Sequence, residues 1–358
     1  MKMNLIGKST GLGVLAVLAA STWAQAEAPR LSPEVIPAEE PAAIERVARN
    51  IEESVREEAK TGPAHRDAHA KAHGCVQASF HVLPGLPQKL RVGIFENEKT
   101  IPAWIRFSNG SGKSQNDSAG DGRGMTIKLM GITKSESTTQ DFLMINQPVF
   151  FVRNASDYVE FTDAVSSGHP MKFFFPSLNP FDFRLHEMGI GLKIQFTKVK
   201  NPLLSRYWSM TPYLFDQTEM KYSTRPCAGA ESDFVSTKSP NFLRDNMSAH
   251  LLRHEACFEF QIQLRTKPAS MPIEDPTLKW SEKASPFLTV ARITIPRQKF
   301  TSPEQMQFCE NLSYTPWHTA PEFRPLGGIN RARKKVYETV SRVRHELNGT
   351  QRSEPSGF

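Results

Sequence analysis

The sequence has no long block of like charges, no internal repeat, no C-x-x-C pair and no H-E-x-x-H motif. Each absence excludes something. Lys and Arg outnumber Asp and Glu by 44 to 37, a formal charge of +7, yet the positives are scattered, so a nucleic-acid footprint is not indicated. The N-terminal apolar run, Leu12 to Ala20, is too short for a stable membrane span. Four cysteines, Cys75, Cys227, Cys257 and Cys309, without C-x-x-C spacing argue against structural zinc. They admit three disulfide pairings, among which spacing does not choose. Regular strand–helix–strand alternation is also missing, which argues against a parallel sheet.

What is present begins with an export signal. Lys2 and Lys8 precede the apolar run, and Ala24-Gln25-Ala26 fits the small-x-small cleavage rule. Cleavage would remove both lysines, lower the formal charge from +7 to +5, and place the chain in the periplasm, where disulfides are permitted. The expected organisation is a signal over 1–26, an N-terminal arm over 27–64, a main domain over 65–348 and a tail over 349–358. In the arm, "EEPAAIERVARNIEESVREEAK" carries Ile44, Val47, Ile51 and Val55 at helical spacing. From Cys75 the period changes to two. "VQASFHV", "IPAWIRFS", "RGMTIKLM", "DFLMINQPVFFV", "ACFEFQIQLRT" and "PFLTVARITIP" read as strands. Such runs favour an antiparallel sheet or barrel, hence an α+β chain. Between Asp163 and Glu255 the pattern is poor, with short helices and loops. Ile329 to Leu347 reads as one helix.

Three stretches carry candidate chemistry. In "RDAHAKAHG", His69 and His73 lie four apart, the spacing of two ligands on a helix face, but a strand follows at once and a satisfied structural histidine is the simpler reading. In "AWIRFSNGSG", strand alternation puts Trp104, Arg106 and Ser108 on one face and Ile105 and Phe107 on the other. Turned inward, Arg106 needs an anionic partner; turned outward, it needs only water. In the last helix, Arg333, Tyr337 and Arg344 fall within about 40° of one another at 100° per residue. That stripe is either a basic surface or a tyrosine kept ionised by arginine and fit to ligate ferric iron.

Taken in order, these stretches resemble the heme catalase family. Its R-x-x-H-A-K matches Arg66 to Lys71, so that His69 and not His73 aligns with the distal histidine. R-F-S recurs as Arg106-Phe107-Ser108, and "GRGMTIKL" resembles R-G-F-A-x-K-F at Arg123. "INQPVFFVRNASDY" resembles N-N-T-P-x-F-F-x-R-D-P-x-x-F, with Ile145 at the family's first asparagine and Asn146 at its second. R-x-x-x-Y-x-x-x-x-R-x-R recurs without a gap from Arg333 to Arg344. The matches run from Arg66 to His345, with 163–253 unaligned.

The resemblance implies an antiparallel β-barrel of catalase type with surrounding helices and an N-terminal helical arm. It implies heme b buried in the barrel, with Tyr337 as iron ligand and Arg333 supporting it. Arg66, Arg106 and Arg344 would hold the propionates. His69 would be the acid–base group, Ser108 its hydrogen-bond partner, and Asn146 the residue that orients peroxide. Tyr158 would lie near the heme, and Val76, on the inward face of the first strand, would limit access. The implied partners are hydrogen peroxide or an organic hydroperoxide and a small organic reductant. No nucleic acid and no membrane span are expected, and a homodimer is compatible. Three functions follow: a peroxide-consuming enzyme with peroxidase and weak catalase activity, an enzyme acting on fatty-acid hydroperoxides, or a heme-binding protein with little turnover.

Overall fold

Alternation of apolar and polar residues builds the centre of the molecule. In the computed structural model, which describes Met1 and residues 33–231, 234–352, 354–355 and 357–358, strand β1 (Ala72–Val82) pairs antiparallel with β2 (Lys99–Asn109), β2 with β3 (Arg123–Met130), and β3 with β4 (Thr139–Ile145). On the other side of β1 come β9 (Leu288–Ile295), β8 (Ala256–Leu264) and β7 (Thr218–Pro226). The two-residue strand β5 (Tyr207–Trp208) pairs with β4 through Ile145 and with β7 through Thr224 and Ser223, closing an eight-stranded antiparallel barrel. Strand β6 (Tyr213–Phe215) pairs with β7 at the rim. Closure through β5 joins the two ends of the sheet, which removes most of its open edge. Residues 2–26 of the expected export signal lie outside the described residues.

Side chains fill the lumen. Phe80, Phe107, Phe142, Tyr222, Phe258 and Phe260 are fully or almost fully buried there, with Phe142 and Phe260 ring centroids 4.7 Å apart. The alternation in β8 places Phe258, Phe260 and Ile262 inward as expected. A lumen packed this way has no room for a cofactor. The inward face of β2 is the Ile105 and Phe107 face, so Arg106 and Ser108 point away from the lumen.

Helices cover that outer face. Helix α1 (Glu40–Glu58) packs with α2 (Ala155–Ser166) and α7 (Gly328–Leu347) through Val47, Ile51, Val55, Val159, Val336, Val340 and Val343. Short α3 (Met171–Phe174) and α4 (Leu185–Phe196) continue from α2, and α5 (Phe242–Leu251) and α6 (Pro303–Asn311) flank β1. The expected strand over "DFLMINQPVFFV" stops at Ile145, where Gln147-Pro148 turns the chain, because proline has no N–H to continue the ladder. Strands β5 to β7 lie in the stretch whose pattern was poor. Of these, β5 and β6, two and three residues long, are too short to show a period.

Two disulfides are present, Cys75–Cys309 and Cys227–Cys257, with Cα separations of 5.5 and 5.4 Å. Among the described residues no helix is long and apolar enough to cross a membrane.

Candidate active site

A cavity of about 600 Å³ lies between the outer face of the barrel and the layer of α1, α2 and α7. The expected position inside the barrel is therefore corrected to one beside it. His69, Arg66, Arg106, Tyr158, Arg333, Tyr337 and Arg344 all line it. Fold and site thus bring together residues that the sequence spreads over nearly 280 positions.

His69 sits just ahead of β1 with φ +62°, a left-handed conformation that is uncommon for a side chain other than glycine. Its backbone is held on both sides. Its N–H donates to the Gly110 carbonyl at 3.0 Å, and its carbonyl accepts from Arg106 Nη2 at 2.7 Å. The ring lies with Nδ1 3.0 Å from Ser108 Oγ. Burial, reinforced by the charge of Arg106, pushes its pKa down to about 4, against a hydrogen bond to the Asn109 backbone. The imidazole is therefore neutral at pH 7, free to accept a proton. Gly124 makes the room: a Cβ there would stand 2.6 Å from His69 Nδ1 and 2.8 Å from Ser108 Oγ. Asp67, also on the wall, has its carboxyl raised to about 7 by burial and by Glu58.

A second wall is cationic. Arg66, Arg106 and Arg344 come from three different segments and converge near one carboxylate, Glu310. Arg66 Nη1 is 2.7 Å and Arg344 Nη1 3.1 Å from Glu310 Oε1, and both guanidinium groups also donate to the Glu310 carbonyl. Burial outweighs the pairing for two of them: Arg106 falls to about 9 and Arg344 to about 10, each also pushed down by Arg66. Burial would raise the Glu310 carboxyl, but these arginines hold it low. The Nε atoms of Arg106 and Arg344 are buried and have no hydrogen-bond partner. Three cations around one anion leave this wall short of negative charge.

The third wall is α7. Tyr337 Oη accepts from Arg333 Nη2 at 3.3 Å, and the Arg333 guanidinium also lies 5.4 Å from the centre of the tyrosine ring. Although burial works the other way, the Tyr337 and Tyr213 oxygens hold the Arg333 pKa up. Asn330 Oδ1 and Thr211 Oγ1 fix the other end of that guanidinium at 3.2 and 3.4 Å. Phe150, Phe151, Tyr158 and Phe161 add an aromatic wall, with Phe150 against Tyr158 at 6.1 Å and Phe151 against Phe161 at 4.7 Å. Burial raises the Tyr158 hydroxyl well above the usual phenol range.

Val76 and Asn146 stand apart from the cavity. Val76 is fully buried in the barrel lumen, since alternation along β1 sends it to the same side as Ala78 and Phe80. Asn146 Oδ1 accepts from the Arg123 backbone N–H at 2.7 Å, and Ile145 takes the place on the cavity wall. His73 is also elsewhere, buried with both ring nitrogens unpartnered and its pKa pushed down to about 3 by burial. Glu310, Asn330, Thr211, Asp67 and Gly124 were not singled out from the sequence. None has a local pattern, and only the spacing of Gly124 after Arg123 in the matched motif hinted at a role.

Comparison with known proteins follows this geometry. A family model described as Catalase matches residues 46–196. Among curated proteins no sequence matches. Solved structures do: a fungal catalase (TM-score 0.64, 18% identity, 81% of this chain and 62% of that one) and catalase A from Saccharomyces cerevisiae (0.62, 17%, 82% and 65%). A bacterial catalase aligns over 99% of this chain and 70% of its own, with TM-score 0.61 and 13% identity. At these identities the likeness is one of fold, and the alignments span less than two thirds of the first two chains.

Proposed function

We propose that this chain, which a Catalase family model matches over residues 46–196 and which shares its fold with solved catalases, is a heme-dependent oxidoreductase that consumes peroxide. One observation carries the reading: a neutral His69 and the Tyr337–Arg333 pair line the same cavity, beside an arginine cluster that lacks anions. The residues fit heme b. A cavity of about 600 Å³ with aromatic walls suits a large flat ligand. The unpartnered nitrogens of Arg106 and Arg344 suit propionates, and Tyr337 Oη, which among the described residues accepts from Arg333, keeps lone pairs for iron.

When bound, heme iron supplies the electrons and the coordination site for cleaving a peroxide O–O bond. The protein's own residues do the rest. Tyr337 would bind the iron through its oxygen, with Arg333 balancing that oxygen's negative charge. Arg66, Arg106 and Arg344 would bind and orient the propionates. His69, its Nδ1 held by Ser108, would use Nε2 to take a proton from peroxide and return it to the departing oxygen, a role usually worth ~10²–10⁴ in rate. A second reading, hydroperoxides on acyl chains, is favoured by the apolar side of the cavity, where Phe161, Val165, Phe174 and Ile194 meet. The two disulfides and the expected signal support a periplasmic site of action.

Hemin titration tests the ligand. The protein should bind hemin with a high-spin ferric, tyrosinate-type absorption spectrum, and Tyr337→Phe should bind weakly or with a different axial ligand. An unchanged spectrum at full occupancy in that variant would overturn the assignment.

A further inference from the structure

The segment from α2 to the end of α4 has two apolar sides. At 100° per residue, Leu185, Met188, Leu192 and Phe196 of α4 fall within about 80° of one another, while Gly191 and Ile194, about 100° and about 160° from the centre of that stripe, line the cavity. The first stripe faces solvent: Leu185, Leu192 and Phe196 are exposed, and the sole buried residue of the helix is Glu187, ion-paired with Arg153. An apolar helix normally buries such a stripe. Ahead of α4, Leu178 and Phe181 stand almost wholly in solvent, at 101% and 97% exposure, and Met171 is more than half exposed. Val165 is both exposed and part of the cavity lining, and Phe174, Gly191 and Ile194 line it too, so the segment that carries this apolar surface also forms part of the cavity wall.

We propose that this surface docks on an anionic lipid bilayer, with the cavity rim turned toward the membrane. Charge selects the occupant. Lys172, Lys193, Lys198 and Lys200 surround the patch and are exposed, whereas Asp182 is the one exposed acid between 165 and 200. Arg184 and Glu187 are already ion-paired, with Glu160 and Arg153. A second copy related by two-fold symmetry would bring the same lysines against each other. An anionic membrane attracts them and takes up the apolar tips at the headgroup–acyl boundary. Phe181 and Leu178 act as the wedge and the α4 stripe as the flat contact. The substrates favoured by this placement are hydroperoxides that partition into the bilayer. That last step rests on the proposed peroxide chemistry; the docking does not.

Flotation of the full chain with vesicles tests the docking without any turnover. Vesicles of phosphatidylethanolamine and phosphatidylglycerol should carry the protein upward, and phosphatidylcholine alone should carry much less. Added salt should weaken the association. Leu178→Ser with Phe181→Ser, or Lys193→Glu with Lys198→Glu, should lower binding on the order of tenfold while leaving circular dichroism and hemin binding unchanged. Absence of flotation at low salt, or flotation that neither double variant alters, would overturn the proposal. So would a dimer in sedimentation that Leu178→Ser with Phe181→Ser converts to monomer, because the patch would then belong to a second copy.

Discussion

His69 and His73 are four residues apart and do opposite things. His69 stands in the cavity with Ser108 on its ring, while His73 is enclosed by protein with no partner for either nitrogen. His69→Ala should therefore keep hemin binding and lose ~10²–10⁴ of peroxide-dependent turnover, whereas His73→Ala should change turnover little. Stopped-flow assays on hemin-loaded variants decide it, and the reverse outcome would move the catalytic assignment by four residues. The pH dependence follows from the same ring. Its folded pKa, about 4, lies below the ordinary 6.5. Its contribution to stability is thus complete above about 6.5 and is lost as pH falls through about 4. Because the base stays neutral down to that range, the acid limb of the activity profile should fall near 4 rather than near 6.5. The stripe of Arg333, Tyr337 and Arg344 was legible in the sequence, because helical geometry alone aligns them. Glu310, between Arg66 and Arg344, was not, since it meets them only through the packing of α6.

At the scale of elements, α6 ties the two ends of the site together. Cys309 near its C-terminus is bonded to Cys75 in β1, six residues beyond His69, and the next residue, Glu310, holds the arginines. The bond closes a loop of 234 residues, against 30 for Cys227–Cys257. Chain entropy assigns about 5 kcal/mol to the long loop and about 3.5 to the short one. Cys75→Ser with Cys309→Ser should consequently lower the unfolding free energy more than Cys227→Ser with Cys257→Ser, and should also weaken hemin affinity because α6 is freed. Denaturant titration and hemin binding on both pairs check this. Equal destabilisation with unchanged hemin affinity would detach α6 from the site.

At the scale of the molecule, the barrel is a packed support and the cavity is its outer surface roofed by α1, α2 and α7. That roof is partly open along Val165, and Asn146 does not reach the cavity. Both features favour small organic donors over a second peroxide, whose reaction depends on close orientation. Hemin-loaded protein should thus oxidise phenolic dyes at a rate well above its oxygen release at equal peroxide. Vigorous oxygen release without dye oxidation would show a cavity closed to donors.

Local periodicity determined the strands β1 to β4, β8 and β9, the helices α1 and α7, and the residues that each would show on a common face. Motif order also pointed to His69, Arg106, Ser108 and Tyr337 as members of one site. Which face of β2 meets the lumen was beyond it, because alternation is symmetric until closure chooses a side. Closure depends on β5, two residues long, whose pairing with β4 and β7 leaves no period to read. Once closed, the barrel takes the apolar face inward. Ile105 and Phe107 fill the lumen, Arg106 and Ser108 are left outside, and the helices that cover them make the cavity. The disulfide partners and the place of Glu310 were settled the same way, by contacts between segments 30 to 244 residues apart, which no local pattern encodes.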